Sequence, residues 1–348
     1  MAAPGRPRVK SRPEDLIACF DRLPSPDSDI GAGRYCVLPI DGCASCFIGK
    51  DSSGGPALLI ATDRDDSHAF GAPLVLEWLR VVHMVQCRVH ETPTHEVTRR
   101  FSVVHCNATD RQLQVYFLRS LHPIIASLPN QPQREDVTKA VMALVELFSR
   151  LHSEPTHTVL GLWAELFVIA SASDPETLIR AWHAIPEERY DFSIGPDRLE
   201  VKAASAERVH HFHLSQLRPT GPTRVRIASL LTERSHGGAG ITDLVDAIRG
   251  RVASPDLLVR LDGVIAETLG REWGPSQDVR FDREHAIATL RFIDARAVPA
   301  VVTPLPPEVS DVHFRVDITQ YADTPLDQHL TRASELFAAA LPNVQSPR

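Results

Sequence analysis

The 348-residue sequence contains no run approaching the ~20 consecutive apolar residues that a membrane-spanning helix needs, so none is expected. Basic residues within Met1–Pro13 have no apolar run behind them, so no signal peptide is expected and the expected location is cytoplasmic. Positive charge is not in excess: the formal net charge is -7, which argues against a protein that coats DNA nonspecifically. Cysteine is sparse, and Cys19, Cys36, Cys43, Cys46, Cys87 and Cys106 all lie in the first third. In a cytosolic chain these are expected as reduced thiols rather than bridges. Cys43-Ala-Ser-Cys46 has no second Cys-x-x-Cys or His pair at matching spacing, so a ribbon-type zinc site is not expected and buried thiols near a hairpin turn are. There is no Gly-x-Ser-x-Gly, and no internal repeat or low-complexity tract. Serine or cysteine nucleophile chemistry therefore finds no support.

What is present is an ordinary globular balance, 43% hydrophobic and 23% charged, in a chain long enough for two domains. Residues 1 to about 128 read as mostly β. Short apolar or alternating runs at Tyr35–Ile40, Cys46–Lys50, Ala57–Ala61, Leu76–Glu91, Arg100–Cys106 and Leu113–Leu118 are punctuated by Gly, Asp, Ser and Pro. Leu121–Leu128 is expected as a short helix. The two prolines of Leu128-Pro-Asn-Gln-Pro-Gln mark a boundary, giving a β-rich part over 1–130 and a mixed part over 131–348.

From Arg134 the period changes. Val137, Val141, Leu144, Val145 and Phe148 predict an amphipathic helix to about Leu151. Thr158–Ser171 is apolar on nearly all sides and is predicted as a buried helix. Asp174-Pro175-Glu176 opens a third, with Asp as N-cap and Pro at the first helical position. Strands are expected at Tyr190–Ala203, Val209–Leu214, Arg224–Leu231, Ala286–Phe292 and Val312–Ile318. Helices are expected at Ile241–Val252, Pro255–Gly270 and Leu326–Leu341. Gly237-Gly-Ala-Gly240 lacks the Lys-Ser/Thr of a phosphate-binding loop and is read as a flexible turn. Trp163 and Trp182 are read as core anchors. The fold class is mixed α and β, a sheet flanked by helices.

The informative stretch is Tyr190-Asp-Phe-Ser-Ile-Gly-Pro-Asp-Arg-Leu-Glu-Val-Lys-Ala203. Gly195-Pro196-Asp197-Arg198 has turn chemistry, so the flanking runs are expected to form an antiparallel hairpin. With the turn centred on Pro196-Asp197, Ile194 lies opposite Leu199, Ser193 opposite Glu200 and Asp191 opposite Lys202. Asp191, Ser193, Glu200 and Lys202 then share one face, and Phe192, Ile194, Leu199 and Val201 turn into a core. Paired carboxylates repel unless a cation sits between them, and Mg²⁺ favours such oxygen ligands. A neighbouring lysine can orient a water or stabilise developing charge. Glu165 sits on the buried helix among Leu162, Leu166 and Ile169, where an ionised carboxylate needs a partner. The proposed ion or Lys202 supplies one; an arginine of the core is the alternative. Basic charge gathers in the same region, with seven Lys/Arg between Arg198 and His236 against Glu200, Glu207 and Glu233.

Glu165 on a helix, followed by Asp191 and Glu200-Val-Lys202 on adjoining strands, resembles the α-β-β-β-α-β core of PD-(D/E)XK nucleases. The segments Gly-Leu-Trp-Ala-Glu, Asp-Pro-Glu, Ala-Trp-His, Tyr-Asp-Phe, Leu-Glu-Val-Lys and Phe-His-Leu-Ser-Gln-Leu are similar to bacterial "PD-(D/E)XK motif proteins", often found among phage-defence genes. The likeness covers about 135–230, with Tyr190 standing where the family's name-giving Pro precedes the Asp. It implies a Mg²⁺-dependent DNA endonuclease of a restriction or anti-phage system, with Mn²⁺ as a substitute ion. It further implies metal ligands at Glu165, Asp191, Glu200 and the Val201 carbonyl, with Lys202 assisting the water. Gln216 falls where this superfamily places a polar helix residue facing the site. Partners implied are double-stranded DNA, other defence-system subunits and a second copy of the chain, with residues 1–130 recognising DNA or a partner protein.

Two other functions fit less well. A catalytically silent adaptor has no need to keep the carboxylate–lysine set. A zinc hydrolase built on His211 and His213, two imidazoles on one strand face, lacks a third ligand at a convincing spacing.

Overall fold

A computed structural model describes residues 9–26, 34–61, 73–92, 95–151, 158–184, 190–219, 221–301, 306, 308, 309, 311–322 and 328–343. The chain separates into two compact units, Met1–Ser153 and Glu154–Arg348. Among the described residues no helix is long and apolar enough to cross a membrane.

The first unit opens with helix α1 (Pro13–Arg22), its proline at the start of the helix, where no backbone donor is lost. Strands β1 (Arg34–Pro39), β2 (Cys46–Lys50), β3 (Pro56–Ala61), β4 (Leu74–Val75), β5 (Leu79–Thr92) and β6 (His95–Cys106) follow. They pair in the order β1-β2-β3-β6-β5-β4. The neighbours in that order are antiparallel, and a parallel β1–β5 pairing closes the sheet on itself. Tyr35, Val37, Phe47, Leu59, Phe101 and Val103 fill its interior. Helices α2 (Arg111–Ala126) and α3 (Arg134–Arg150) complete the unit, with Phe148 of α3 packed against the rings of Tyr116 and Phe117 on α2.

The second unit starts at α4 (Val159–Ser171), capped by the Thr158 hydroxyl, which accepts from the Gly161 N–H at 3.1 Å. In α5 (Pro175–Ala181) Asp174 accepts from Thr177, as the sequence predicts. Next come β7 (Phe192–Ile194), β8 (Asp197–Ala204), β9 (Val209–His213), α6 (Leu214–Leu217), β10 (Arg224–Leu231) and β11 (Arg234–Gly240). They are followed by α7 (Ile241–Arg249), α8 (Pro255–Leu269), α9 (Trp273–Ser276), β12 (Arg280–Phe281), α10 (Arg283–Thr289), β13 (Arg291–Asp294), β14 (His313–Asp317), α11 (Gln328–Ala333) and α12 (Glu335–Ala340). The main sheet runs β13-β10-β8-β7, with β8 and β10 parallel; β9 pairs with β14 and β11 with β12. From α4 onward, with α5 inserted, the order α4-β7-β8-β9-α6-β10 is the helix–three-strand–helix–strand core expected from the motif. Asp197 anchors the hairpin end: it binds Arg224 through both oxygens at 2.5 and 2.8 Å and accepts from Ser334 Oγ at 2.7 Å.

Several expectations are corrected. Leu113–Leu118 is not a strand, and the helix expected at Leu121–Leu128 is not separate: Leu113–Ala126 lies in the single helix α2, which ends before Ser127. The Asp110 side chain accepts from the Leu113 N–H at 3.0 Å and so starts the helix ahead of the alternating run. Helix α3 packs within the first unit, so the compact units part at 153/154 rather than at 130/131. Gly237–Gly240 belongs to strand β11 instead of a flexible turn. Gly238 lies so close to the β12 backbone that a Cβ there would collide with the Phe281 carbonyl. Ala286–Phe292 divides into the end of α10 and the start of β13. The closing segment Leu326–Leu341, whose first residues lie outside the described ones, is interrupted at Ser334, which caps α12. Cys43 and Cys46 are bridged as a disulfide, not free, while Cys19, Cys36, Cys87 and Cys106 are free thiols as expected.

The hairpin register is the correction that matters most for the site. Observed pairs are Phe192↔Leu199, Ser193↔Arg198 and Ile194↔Asp197, two residues away from the expected register. Gly195 takes a left-handed backbone (φ 52°) at the first central position, which centres the tight turn on Gly195-Pro196. Because the slip is even, no side chain changes face, and Phe192 and Leu199 are fully buried as expected. Asp191, just before β7, is thereby brought level with Glu200 instead of Lys202.

Candidate active site

Three acids of the second unit reach one buried locality from separate elements. Glu165 comes from α4, Asp191 from the approach to β7, and Glu200 from β8. Glu165 is 3% exposed, Asp191 9% and Glu200 4%. Each has a fixed orientation. Glu165 Oε2 accepts from the indole Nε1 of Trp182 at 2.6 Å and lies 3.1 Å from Nε2 of His183. Asp191 Oδ2 accepts from the Val201 N–H at 2.6 Å, tying the acid to the strand that carries Glu200. Lys202, one step along the same face, places Nζ 2.6 Å from Glu200 Oε1 and 5.3 Å from the centre of the Phe212 ring. The other oxygen of Glu200, Oε2, is buried with no hydrogen-bond partner among the described residues.

The electrostatics follow from this crowding. Burial, then the charges of Glu200 and Glu165, push the Asp191 carboxyl well above the usual carboxylate range, against the Val201 N–H and Lys202. Burial also raises Glu200, with Glu165 adding to it, while Lys202 and Gln216 pull the other way. Buried acids that raise one another's proton affinity are relieved by a proton or by a cation. Oxygen donors in this number suit a hard divalent ion, and the unpartnered Glu200 Oε2 is the kind of atom such an ion satisfies. On β9, burial together with Lys202 and Arg208 lowers the His210 imidazole to about 4, and its Nε2 lies 2.9 Å from Ser229 Oγ.

Of the residues singled out from sequence, Glu165, Asp191, Glu200 and Lys202 are gathered here. Val201 contributes its N–H, and its side chain is buried as expected. Gln216, on the short helix α6, is buried, bears on Glu200, and accepts the His213 N–H at 3.0 Å through Oε1. His211 is exposed and outside the cluster. Sequence reasoning missed His183 and the polar role of Trp182. The ligand atoms of Glu165, His183 and Asp191 all lie within 4.8 Å of one another, a distance an ion can bridge. Ala-Trp-His was visible as a motif, but only the backbone of His183, left-handed at φ 43° and with its N–H on the Asp191 carbonyl at 2.8 Å, brings its ring to Glu165. Trp182 is indeed fully buried, and its indole N–H is what holds the acid.

Comparison with known proteins supplies a family. A family model described as "Putative PD-(D/E)XK family member, (DUF4420)" matches residues 16–319, well over half of the chain. No curated protein and no solved structure matches. The Glu-Val-Lys run on β8 has the (D/E)XK form in that family's name, and the chain belongs to the family.

Proposed function

We propose that the second unit is a divalent-metal-dependent endonuclease that hydrolyses phosphodiester bonds in double-stranded DNA, with Mg²⁺ as the working ion and Mn²⁺ as a substitute. The observation that carries this reading is the convergence of Glu165, Asp191 and Glu200 in one buried locality beside Lys202, with Glu200 Oε2 unpartnered among the described residues. The family supports it, since PD-(D/E)XK nucleases typically use divalent metals.

Glu165, Asp191, Glu200 and the Val201 carbonyl would hold the ion, with His183 beside Glu165. When bound, the ion supplies Lewis acidity, polarising a phosphate oxygen and lowering the pKa of a water. The chain does the positioning. The Trp182 indole and the Val201 N–H fix the rotamers of Glu165 and Asp191, so that little reorganisation accompanies the reaction. Lys202 neutralises Glu200 in the resting site and offers its ammonium to the charge that develops on the phosphate. Gln216 steadies Glu200 from α6. The fuller reading is a cytoplasmic restriction or anti-phage enzyme whose first unit recognises DNA or a partner protein. A homodimer cutting both strands fits that role.

Supercoiled plasmid incubated with the purified chain and Mg²⁺ or Mn²⁺ should be nicked or linearised. Lys202→Ala should reduce the rate by about 10²–10³-fold, the usual loss for one group that stabilises transition-state charge, with circular dichroism unchanged. A wild-type chain inert with both ions, or a folded Lys202→Ala variant with full activity, overturns the assignment.

A further inference from the structure

A second group of ligating side chains lies apart from the acids, where β14 meets the end of β9. His213 and His313 are direct cross-strand partners in that antiparallel pair, and their ring centres are 3.6 Å apart. Asp311, two residues before His313, reaches both. Its Oδ1 is 3.3 Å from Nδ1 of His213, and its Oδ2 is 3.2 Å from Nε2 of His313. The three ligand atoms lie within 4.8 Å of one another. Two metal bonds of about 2.1 Å meeting at a tetrahedral angle set their donor atoms about 3.4 Å apart, a spacing that the two Asp–His contacts, also of hydrogen-bond length, are compatible with.

We propose that His213, Asp311 and His313 form a second metal site, for a borderline transition ion of the zinc class. The donor set differs in kind from the first site. Two imidazoles and one carboxylate select zinc and its neighbours over Mg²⁺, which takes oxygen. The three side chains are half-buried to exposed, open enough for an ion to enter and for solvent to fill a fourth position. His213 and Asp311 border a cavity of about 400 Å³ lined also by Leu214, Ser215, Arg218 and Val312. Asp311 takes a left-handed backbone (φ 61°), and each of its carboxylate oxygens lies near a nitrogen of one ring. The site ties Asp311 and His313 to the start of α6, the helix whose Gln216 bears on Glu200 and whose Ser215 carbonyl accepts from the Tyr190 hydroxyl. Bound metal therefore braces the side of the acid cluster that α6 supports. His211, the other member of the His-Phe-His pair, takes no part.

The test uses the full chain, stripped with a chelator and titrated with Zn²⁺ in excess Mg²⁺ against a chromophoric zinc chelator. One zinc per chain is expected. His313→Ala should weaken it by at least about 100-fold, beyond the 10–100-fold typical of losing an outer-shell partner. Asp191→Asn should leave it unchanged. The His313 side chain is 49% exposed, so its removal spares the core, and Asp311→Asn, equal in size, provides a second variant with the same expected loss. Absence of zinc, which would leave a hydrogen-bonded His-Asp-His cluster, overturns the proposal. So does zinc that survives both variants, or zinc lost through Asp191→Asn.

Discussion

Asp191→Asn should stabilise the ion-free protein while removing its activity. The oxygens of Asp191 and Glu165 lie within 4.8 Å, and two negative charges at that distance repel by roughly 3 kcal/mol at an effective dielectric of about 20. Asparagine keeps an oxygen for the Val201 N–H, but a neutral acceptor makes that bond about 1 kcal/mol weaker. The net gain is about 2 kcal/mol, or roughly 4–8 °C in Tm for a unit of this size. Its pH dependence has a definite sign. The folded Asp191 carboxyl binds its proton more tightly than the unfolded one, so the wild type is penalised at pH values above the raised pKa. The advantage of the variant should therefore be full above the raised pKa and fade as acid protonates Asp191 in both states. Mg²⁺ should reverse it: an ion at about 100 times its Kd adds about 2.7 kcal/mol to the wild type and little to the variant. Thermal unfolding in chelator, followed by the fluorescence of Trp163, Trp182 and Trp273, measures all three effects. A variant that melts below wild type in chelator throughout the pH range, or whose advantage ignores pH, would refute the idea that these acids strain one another.

Trp182→Phe removes the indole donor from Glu165 while keeping a ring in the core, and should lower Mn²⁺ affinity about 10–100-fold in a calorimetric titration, with the fold intact. His210 is held neutral in the fold, down to about 4, so stability present above its unfolded pKa should be lost as pH falls from about 6.5 to about 4. The total is about 3 kcal/mol, and it should be missing from the His210→Gln profile when the two denaturation curves are compared. A thiol titration in denaturant without reductant should count four reactive cysteines, rising to six after reduction. Six at the outset would mean that the Cys43–Cys46 bridge does not form.

The face partition of the β7–β8 hairpin was legible because it needs only strand alternation and a turn, and it tolerates an error of two in register. The register itself depended on which residue adopts the left-handed backbone, and Gly195 rather than the Pro196-Asp197 centre decides that. Buried α4 was legible from its apolar surround, and the need of Glu165 for a partner followed from the cost of burying a charge. The identity of that partner was not legible. Trp182 and His183 are placed by α5 and by a backbone reversal, neither of which has a periodic signature. Helix α2 was misread because alternation over Leu113–Leu118 is a short-range signal, whereas the Asp110 cap and the buried face of Leu118, Leu121 and Ile125 act over the whole helix. Asp311 and His313 lie about a hundred positions from His213, and only the β9–β14 pairing joins them.

Helix α4 also limits how the chain can change length. Each residue of an α-helix advances the next by 1.5 Å and turns it by about 100°. One residue inserted between Thr158 and Glu165 would swing the acid off Trp182 and Asp191 and drive it into the apolar surround of Leu162, Leu166 and Ile169. Compensation by rotating the whole helix is closed off, because nearly every side of it is packed. Insertions and deletions that preserve the site therefore belong in the loops on either side of α4. Within the helix, the spacing from its cap to its single acid behaves as a fixed length.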